Sequence, residues 1–406
     1  MSVCGLDVWE KTVRKNKLQF VMLNSDLTHQ GEIQMNVLMV NLPFSGHTNP
    51  TLPLTAKLVE AGHKVTYVNA PEFREKIEQT GAAFVPYKDY PENASEKYKK
   101  THSFVAVYDT AVSLTEKFDI LIYEMFFYPG IDLAQKLGIP SVRQFSQPAW
   151  NETTWKEAPT VFKISAKLID MQVLPKKVVS NKGFSNTCLK DGITKSKPDL
   201  NIVYIPKQFQ KRSEEFDDSY IYVIPKPEVR SENLVIPYEK MKSPIVYISL
   251  GSILSDKSFY RKCIKAFGGK KVSVILNTGK VSPDILGEMP ENIYAYSFVP
   301  QIEVLSHADV FLTHCGMNSI NEALCFGVPM VAMPFINDQV TNANQLIELG
   351  LAKRIHSFIQ NTNEIYETVM QVAGSDVMKE KAMEMKQAID CQMTWENIVK
   401  RIEDLV

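Results

Sequence analysis

A surplus of charge of either sign is missing from this 406-residue sequence, in which 45 Lys and Arg stand against 46 Asp and Glu for a formal net charge of −1. Without a bulk field to attract nucleic acid or an anionic membrane, any polyanionic ligand has to be held locally. Paired cysteines are missing too. The six, at 4, 188, 263, 315, 325 and 391, form no CxxC and no Cys/His cluster with zinc spacing, which argues against a disulfide frame and fits a reducing compartment. Uninterrupted apolar stretches fall far short of the roughly 18 to 20 residues of a membrane helix. No two glycines lie two apart, and no GxxxxGK precedes Ser or Thr, so the dinucleotide fingerprint and the P-loop are both absent. A dehydrogenase or an NTPase loses its main support. Asp-x-Asp is also absent, and the pair Asp217-Asp218 lies in a polar stretch, so the expectation is no obligatory metal.

What is present is ordinary in amount and regular in order. Apolar residues make up 45% and charged residues 22%, which excludes wholesale disorder. At roughly 100 to 200 residues per domain the chain has room for two cores. Residues 1–34 carry no apolar h-region or small-residue cleavage site and read as an N-terminal extension of a cytosolic protein.

From Met35 the pattern alternates. Val37–Pro43 reads as a strand, Thr48–Ala61 as a helix ending before Gly62, and Val65–Asn69 as a strand again. Further strands are expected at Ala83–Tyr87, Asp119–Glu124, Ser141–Phe145, Leu200–Ile205 and Ile221–Ile224. Residues 150 to 200 break the rhythm, with Trp150, Trp155 and Phe162 among scattered lysines. They read either as peripheral helices or as a wall of a substrate pocket. Pro225, Pro227 and Pro237 mark a linker. The alternation then restarts at Ile245–Leu250, Val272–Asn277, Ile293–Phe298, Val310–His314 and Met330–Met333. Continuous apolar strands separated by helices imply parallel sheets covered on both faces. Ligands of such sheets sit outside the carboxyl ends of the strands.

The strongest constellation runs from Phe298 to Gln339: FVPQ at 298–301, HCGMNSINEAL at 314–324, GVP at 327–329 and NDQ at 337–339. A strand stops at Cys315-Gly316, and a helix follows with Asn318 and Ser319 in its first turn. Its unpaired N–H groups and positive dipole end make an anion site. Glu322, one turn deeper on the same face, repels phosphate but can accept hydrogen bonds from ribose hydroxyls. Together they read as a nucleoside diphosphate cradle without a lysine.

This block resembles the nucleotide-sugar signature of the UDP-dependent glycosyltransferase family, in particular its bacterial macrolide glycosyltransferase branch, which is related to the plant secondary-product glucosyltransferases. The similarity extends over nearly the whole chain from Met35 and includes FSGHTNP near the start and VYISLGS at 246–252. It implies an α/β GT-B fold, two facing Rossmann-like doubly wound parallel-sheet domains with an interdomain cleft. The implied layout is an acceptor-binding domain at 35–225, a linker at 226–243, a UDP-sugar-binding domain at 244–385, and a C-terminal helix within 386–406 packing back on the first domain. By position, Phe298 would stack on uracil with Gln301 nearby. His314, Gly316, Asn318 and Ser319 would meet the diphosphate, with Ser252 approaching from the opposite loop. Glu322 would hold the ribose, and Asp338 and Gln339 the sugar hydroxyls.

His47, four residues past Pro43, has the imidazole pKa near ~6.5 that suits a general base. The resemblance makes it the catalytic base. The family places Asp in the supporting position, where DILIYEMFFYPG puts Glu124; Glu can serve if the backbone yields about one methylene of reach. Otherwise Glu124 is a strand-end residue, and Asp109 is the nearest alternative acid by sequence. His63 reads as a strand-start residue. The reaction implied is an inverting single displacement on a UDP-sugar co-substrate, with UDP-glucose favoured because Gln339 closes the block as in glucose-using relatives. No other cofactor, nucleic acid or integral membrane segment is expected. The acceptor would be a small apolar or aromatic molecule bound by residues of about 100–117 and 145–190. A nucleotide-sugar epimerase, a lipid-linked sugar transferase of the same fold, or an auxiliary binding protein are the alternatives. Oligomeric state is not encoded in any motif.

Overall fold

The computed structural model describes residues 34–173, 184, 188–226, 234–251, 256–335, 338–355 and 361–406. The expected extension, apart from Gln34, and three residues singled out above, Pro227, Ser252 and Asn337, lie outside the described residues. Asn36–Val406 cluster as one compact unit.

Continuous apolar runs become strands because burial on both faces leaves no solvated side to alternate with. The first sheet contains β1 (Asn36–Val40), β2 (Lys64–Asn69), β3 (Ala83–Pro86), β4 (Ile120–Glu124), β5 (Ser141–Phe145), β6 (Leu200–Val203) and β7 (Tyr220–Tyr222). Its order is β3-β2-β1-β4-β5-β6-β7, parallel throughout. The second contains β8 (Ile245–Ser249), β9 (Ser273–Asn277), β10 (Ile293–Tyr296), β11 (Val310–Thr313), β12 (Met330–Ala332) and β13 (Ala352–Arg354), again parallel, in the order β10-β9-β8-β11-β12-β13. Its core joins strand residues such as Ile248, Leu312 and Val331 to helix residues such as Phe267 and Val369.

Two local expectations need correcting. The helix expected over Thr48–Ala61 is divided into Ser45–Thr48, a tighter turn at Asn49–Thr51 and Leu52–Glu60. Pro50 and Pro53 each stand in the first positions of a new segment, where a missing N–H costs nothing. β13 is a strand the sequence pattern hid, for among its three residues only Ala352 is buried.

The chain's end returns to the first sheet. The Trp395–Glu403 helix packs on Leu52–Glu60, and Glu403 Oε1 lies 3.1 Å from His63 Nε2, so His63 joins the tail to the start of β2. Gln392 exchanges two hydrogen bonds with the backbone of Ile224, at 2.7 and 2.5 Å. The preceding helix, Asp376–Asp390, runs unbroken past residue 386 and packs on the Met317–Phe326 helix of the second sheet. Asn321 on that helix donates to the Tyr204 carbonyl just beyond β6, at 2.7 Å, a buried polar link between the two sheets' layers. Among the described residues no helix is long and apolar enough to cross a membrane.

Candidate active site

Each sheet has one place where chain order reverses. In the first it lies between β1 and β4, in the second between β8 and β11; in open α/β sheets such reversals are where ligands bind, outside the carboxyl ends of the strands. His47 follows β1 and Glu124 ends β4; Gly251 follows β8 and His314 follows β11. The candidate residues of both halves thus occupy equivalent positions.

In the first half, His47 Nδ1 stands 2.9 Å from Glu124 Oε1. The Glu124 side chain is fully buried and that of His47 is 19% exposed. Glu124 Oε2 accepts from the Phe126 N–H at 2.9 Å, and Oε1 also accepts from the Ser146 hydroxyl at 3.0 Å. Phe44 and Phe126 flank the imidazole edge-on, with centroids 6.0 and 4.7 Å away. Behind the loop, Asn41 donates to the His47 carbonyl and to the Tyr67 hydroxyl, at 3.3 and 2.7 Å, fixing the backbone that carries the ring. Burial alone would lower the His47 pKa, but the charge and hydrogen bond of Glu124, aided by the charge of Asp338, outweigh it and hold the pKa above the ordinary value. Asp109, the alternative acid, is exposed on the Glu96–Ser113 helix.

In the second half the strand-to-helix junction is tight. Cys315 adopts φ 66°, a left-handed conformation uncommon for a side-chain-bearing residue, and Gly316 caps the Met317–Phe326 helix. The His314 ring is wedged between two glycines: a Cβ on Gly251 would lie 2.6 Å from its Cε1, and one on Gly316 2.5 Å from its Nε2. Burial lowers the His314 pKa to about 4, so the ring is neutral at pH 7. Its buried Nδ1 has no partner among the described residues. Asn318 and Ser319 lie in the helix's first turn, partly exposed.

Gln301 supplies a connection that the sequence did not disclose. Its amide nitrogen donates to Glu322 Oε2 and, at 3.2 Å, to Ser319 Oγ, while its oxygen accepts from the Tyr247 hydroxyl at 2.8 Å. Burial raises the Glu322 pKa, and the bond from Gln301 opposes the rise. Phe298 is 62% exposed, an aromatic face with nothing stacked on it among the described residues. Asp338 opens the Asp338–Glu348 helix, and burial raises its pKa against the favourable charge of His47, which sets the two groups within electrostatic reach. The Gln339 side chain is turned inward, accepting from the Phe335 N–H at 3.0 Å. Asn342 of the same helix donates to the Cys315 carbonyl at 3.1 Å, tying this helix to the junction that precedes the Met317–Phe326 helix.

Residues 238–392 match the family model described as UDP-glucoronosyl and UDP-glucosyl transferase. The chain is 31% identical over 379 residues to the NDP-glycosyltransferase YjiC of Bacillus subtilis (strain 168), spanning 87% of this chain and 93% of that one. The chain belongs to this family. It is an enzyme of the UDP-glycosyltransferase type, with a UDP-sugar as donor. The oleandomycin glycosyltransferase of Streptomyces antibioticus is 27% identical over 408 residues, covering 91% of this chain and 90% of its own. Among solved structures, the glycotransferase of kitacinnamycin superposes with a TM-score of 0.78 at 26% identity, over 92% of this chain and 99% of that one. CalG4, the calicheamicin glycosyltransferase, gives 0.74 at 25% identity, over 92% and 98%. The fold of the enzyme is therefore GT-B.

Sequence reasoning missed Ser146, Phe126 and Tyr247 in this UDP-glycosyltransferase. Ser146 belongs to no motif quoted from the sequence, and its place beside His47 follows from strand order; Phe126 lies two residues past Glu124 in the DILIYEMFFYPG segment, and its N–H bond to that carboxylate carries it to the imidazole. The aromatics of residues 150–162 resolve toward packing: Trp150 and Trp155 are buried, and Trp150 stacks on Phe162 at 4.8 Å.

Proposed function

We propose that this enzyme moves a hexose, glucose in the favoured case, from a UDP-sugar to the hydroxyl of a small apolar or aromatic acceptor with inversion at the anomeric carbon. The observation that carries the reading is the bond from His47 Nδ1 to the buried Glu124. It commits one ring nitrogen to the carboxylate and leaves Nε2 as the basic edge. Nε2 takes the acceptor's hydroxyl proton as the oxygen attacks the anomeric carbon, and the bond from that carbon to the diphosphate oxygen breaks with its electron pair leaving on UDP. Glu124 stabilises the imidazolium that forms. Phe44 and Phe126 suit an acceptor with a flat hydrophobic body.

On the donor side, Phe298 offers a stacking face for uracil and Glu322 a carboxylate for the ribose, with Gln301 holding that carboxylate in place. The charge appearing on the departing diphosphate would be met by the N–H groups at the start of the Met317–Phe326 helix, with Asn318, Ser319 and neutral His314 as side-chain donors. Asp338 faces the transferred sugar on the side of His47, while Gln339, already bonded to Phe335, would support its neighbour's loop as well as a sugar hydroxyl.

Two tests bear on this reading. Glu322→Ala should weaken UDP and UDP-glucose together by about 1 to 3 kcal/mol, the usual penalty for leaving buried hydrogen-bonding groups unpaired. Unchanged affinities by calorimetry would remove Glu322 from the ribose site. Incubation with UDP-glucose and a panel of small phenols should yield glucosides by mass spectrometry, and yields should persist in EDTA because the cradle supplies its own positive field. Activity abolished by EDTA and restored by Mg²⁺ or Mn²⁺ would contradict the account of the diphosphate site.

A further inference from the structure

We propose that Ser146 is a positioning residue of the transfer reaction, its hydroxyl clamping the shared carboxylate oxygen of Glu124 and thereby setting the orientation and basicity of His47. The inference rests on the reading of His47 as the base. Ser146 stands just past the end of β5, 3% exposed, with its Oγ 3.0 Å from Glu124 Oε1 and also 3.0 Å from His47 Nδ1. These three atoms form a closed triangle, since Nδ1 and Oε1 are themselves 2.9 Å apart.

Glutamate has one more rotatable bond than the aspartate usual at this position, so its carboxylate needs more restraint. The protein restrains both oxygens. The Phe126 N–H holds Oε2, and the Ser146 O–H holds Oε1. A hydroxyl has one proton, and the carboxylate is the strongest acceptor in reach; the serine lone pair is then free to share the His47 Nδ1–H with Oε1. The hydroxyl also draws negative charge from Oε1 and moderates its hold on the imidazolium. Without it the carboxylate acts on His47 undiluted, and the base is protonated more readily.

The charged groups facing His47 are few enough for this effect to be read. Among the described residues Glu124 faces it from the end of β4 and Asp338 from the start of the Asp338–Glu348 helix. The other neighbours, Phe44, Phe126, Asn41 and Ser146, carry no charge, and Tyr67 behind them is kept neutral by burial.

The test is the pH profile of kcat/KM for UDP-glucose with a phenol acceptor, measured on wild type, Ser146→Ala, Ser146→Thr and His47→Ala, together with their melting temperatures. Ser146→Ala should move the acid limb upward by about half a pH unit and lower kcat about 3- to 10-fold, with UDP affinity unchanged. Ser146→Thr, which keeps the hydroxyl, should return the limb to its wild-type position. A Ser146→Ala enzyme with an unmoved limb and wild-type kcat overturns the proposal. So does one in which only melting temperature and KM change. The His47→Ala arm separates the two levels: if it retains turnover the base assignment itself fails, whereas its loss beside an unaltered Ser146→Ala profile rejects Ser146 alone.

Discussion

His47→Ala is expected to lower kcat by ~10² or more while leaving the affinity for UDP nearly unchanged. The size follows from losing the basic edge at the β1/β4 reversal, where Nε2 is the ring nitrogen free of Glu124. The separation of effects follows from the layout, because the proposed donor cradle of His314, Gly316 and Glu322 hangs from the other sheet. In the wild type, the elevated His47 pKa predicts a matching pH dependence. The base works only when neutral, so activity should fall as pH drops through a midpoint above the ordinary imidazole value of about 6.5. Near wild-type turnover in the alanine variant, measured at saturating substrates, would remove His47 from the mechanism.

Glu124→Gln should depress kcat strongly, by an order of magnitude or more, with donor and acceptor binding nearly intact. The amide preserves shape but removes the charge that stabilises imidazolium. It should also displace the acid limb in a definite direction. Burial lowers the His47 pKa and Glu124 is the larger of the two charges that raise it, so with that charge gone the midpoint should move to lower pH. This is opposite to the shift expected for Ser146→Ala, and the pair of variants brackets the wild type. Glu124→Asp should recover rate only if the shorter side chain still reaches Nδ1, at about 2.6 to 3.2 Å. A Glu124→Gln enzyme at wild-type speed, with an unmoved limb, would show that the carboxylate merely ends a strand.

The architecture was legible wherever one residue type was repeated along the chain. The runs around Leu38, Ile122, Ile248 and Leu312 give strands because a doubly covered sheet demands unbroken apolarity. β13 offered no such run, and the helix start at Leu52 depended on two prolines whose local effect outweighed the longer periodic pattern. The pairing of His47 with Glu124 was readable from strand ends plus the family resemblance, although the two lie 77 positions apart. Ser146, 99 positions from His47, could not be found that way, because its place depends on β4 and β5 being neighbours, with Glu124 opposite Gln144. Gln301 was expected near uracil, and the structure adds its grip on Glu322 and Ser319, a tertiary fact with no sequence period.

The most direct test of the central claim, a single displacement by an acceptor oxygen activated at His47, is the anomeric configuration of the first-formed product. Proton NMR of a phenolic glucoside made from α-linked UDP-glucose should show the large trans-diaxial H1–H2 coupling of a β-glucoside from the earliest time point. An α-linked product would mean retention of configuration, which one displacement driven by the His47–Glu124 pair cannot give.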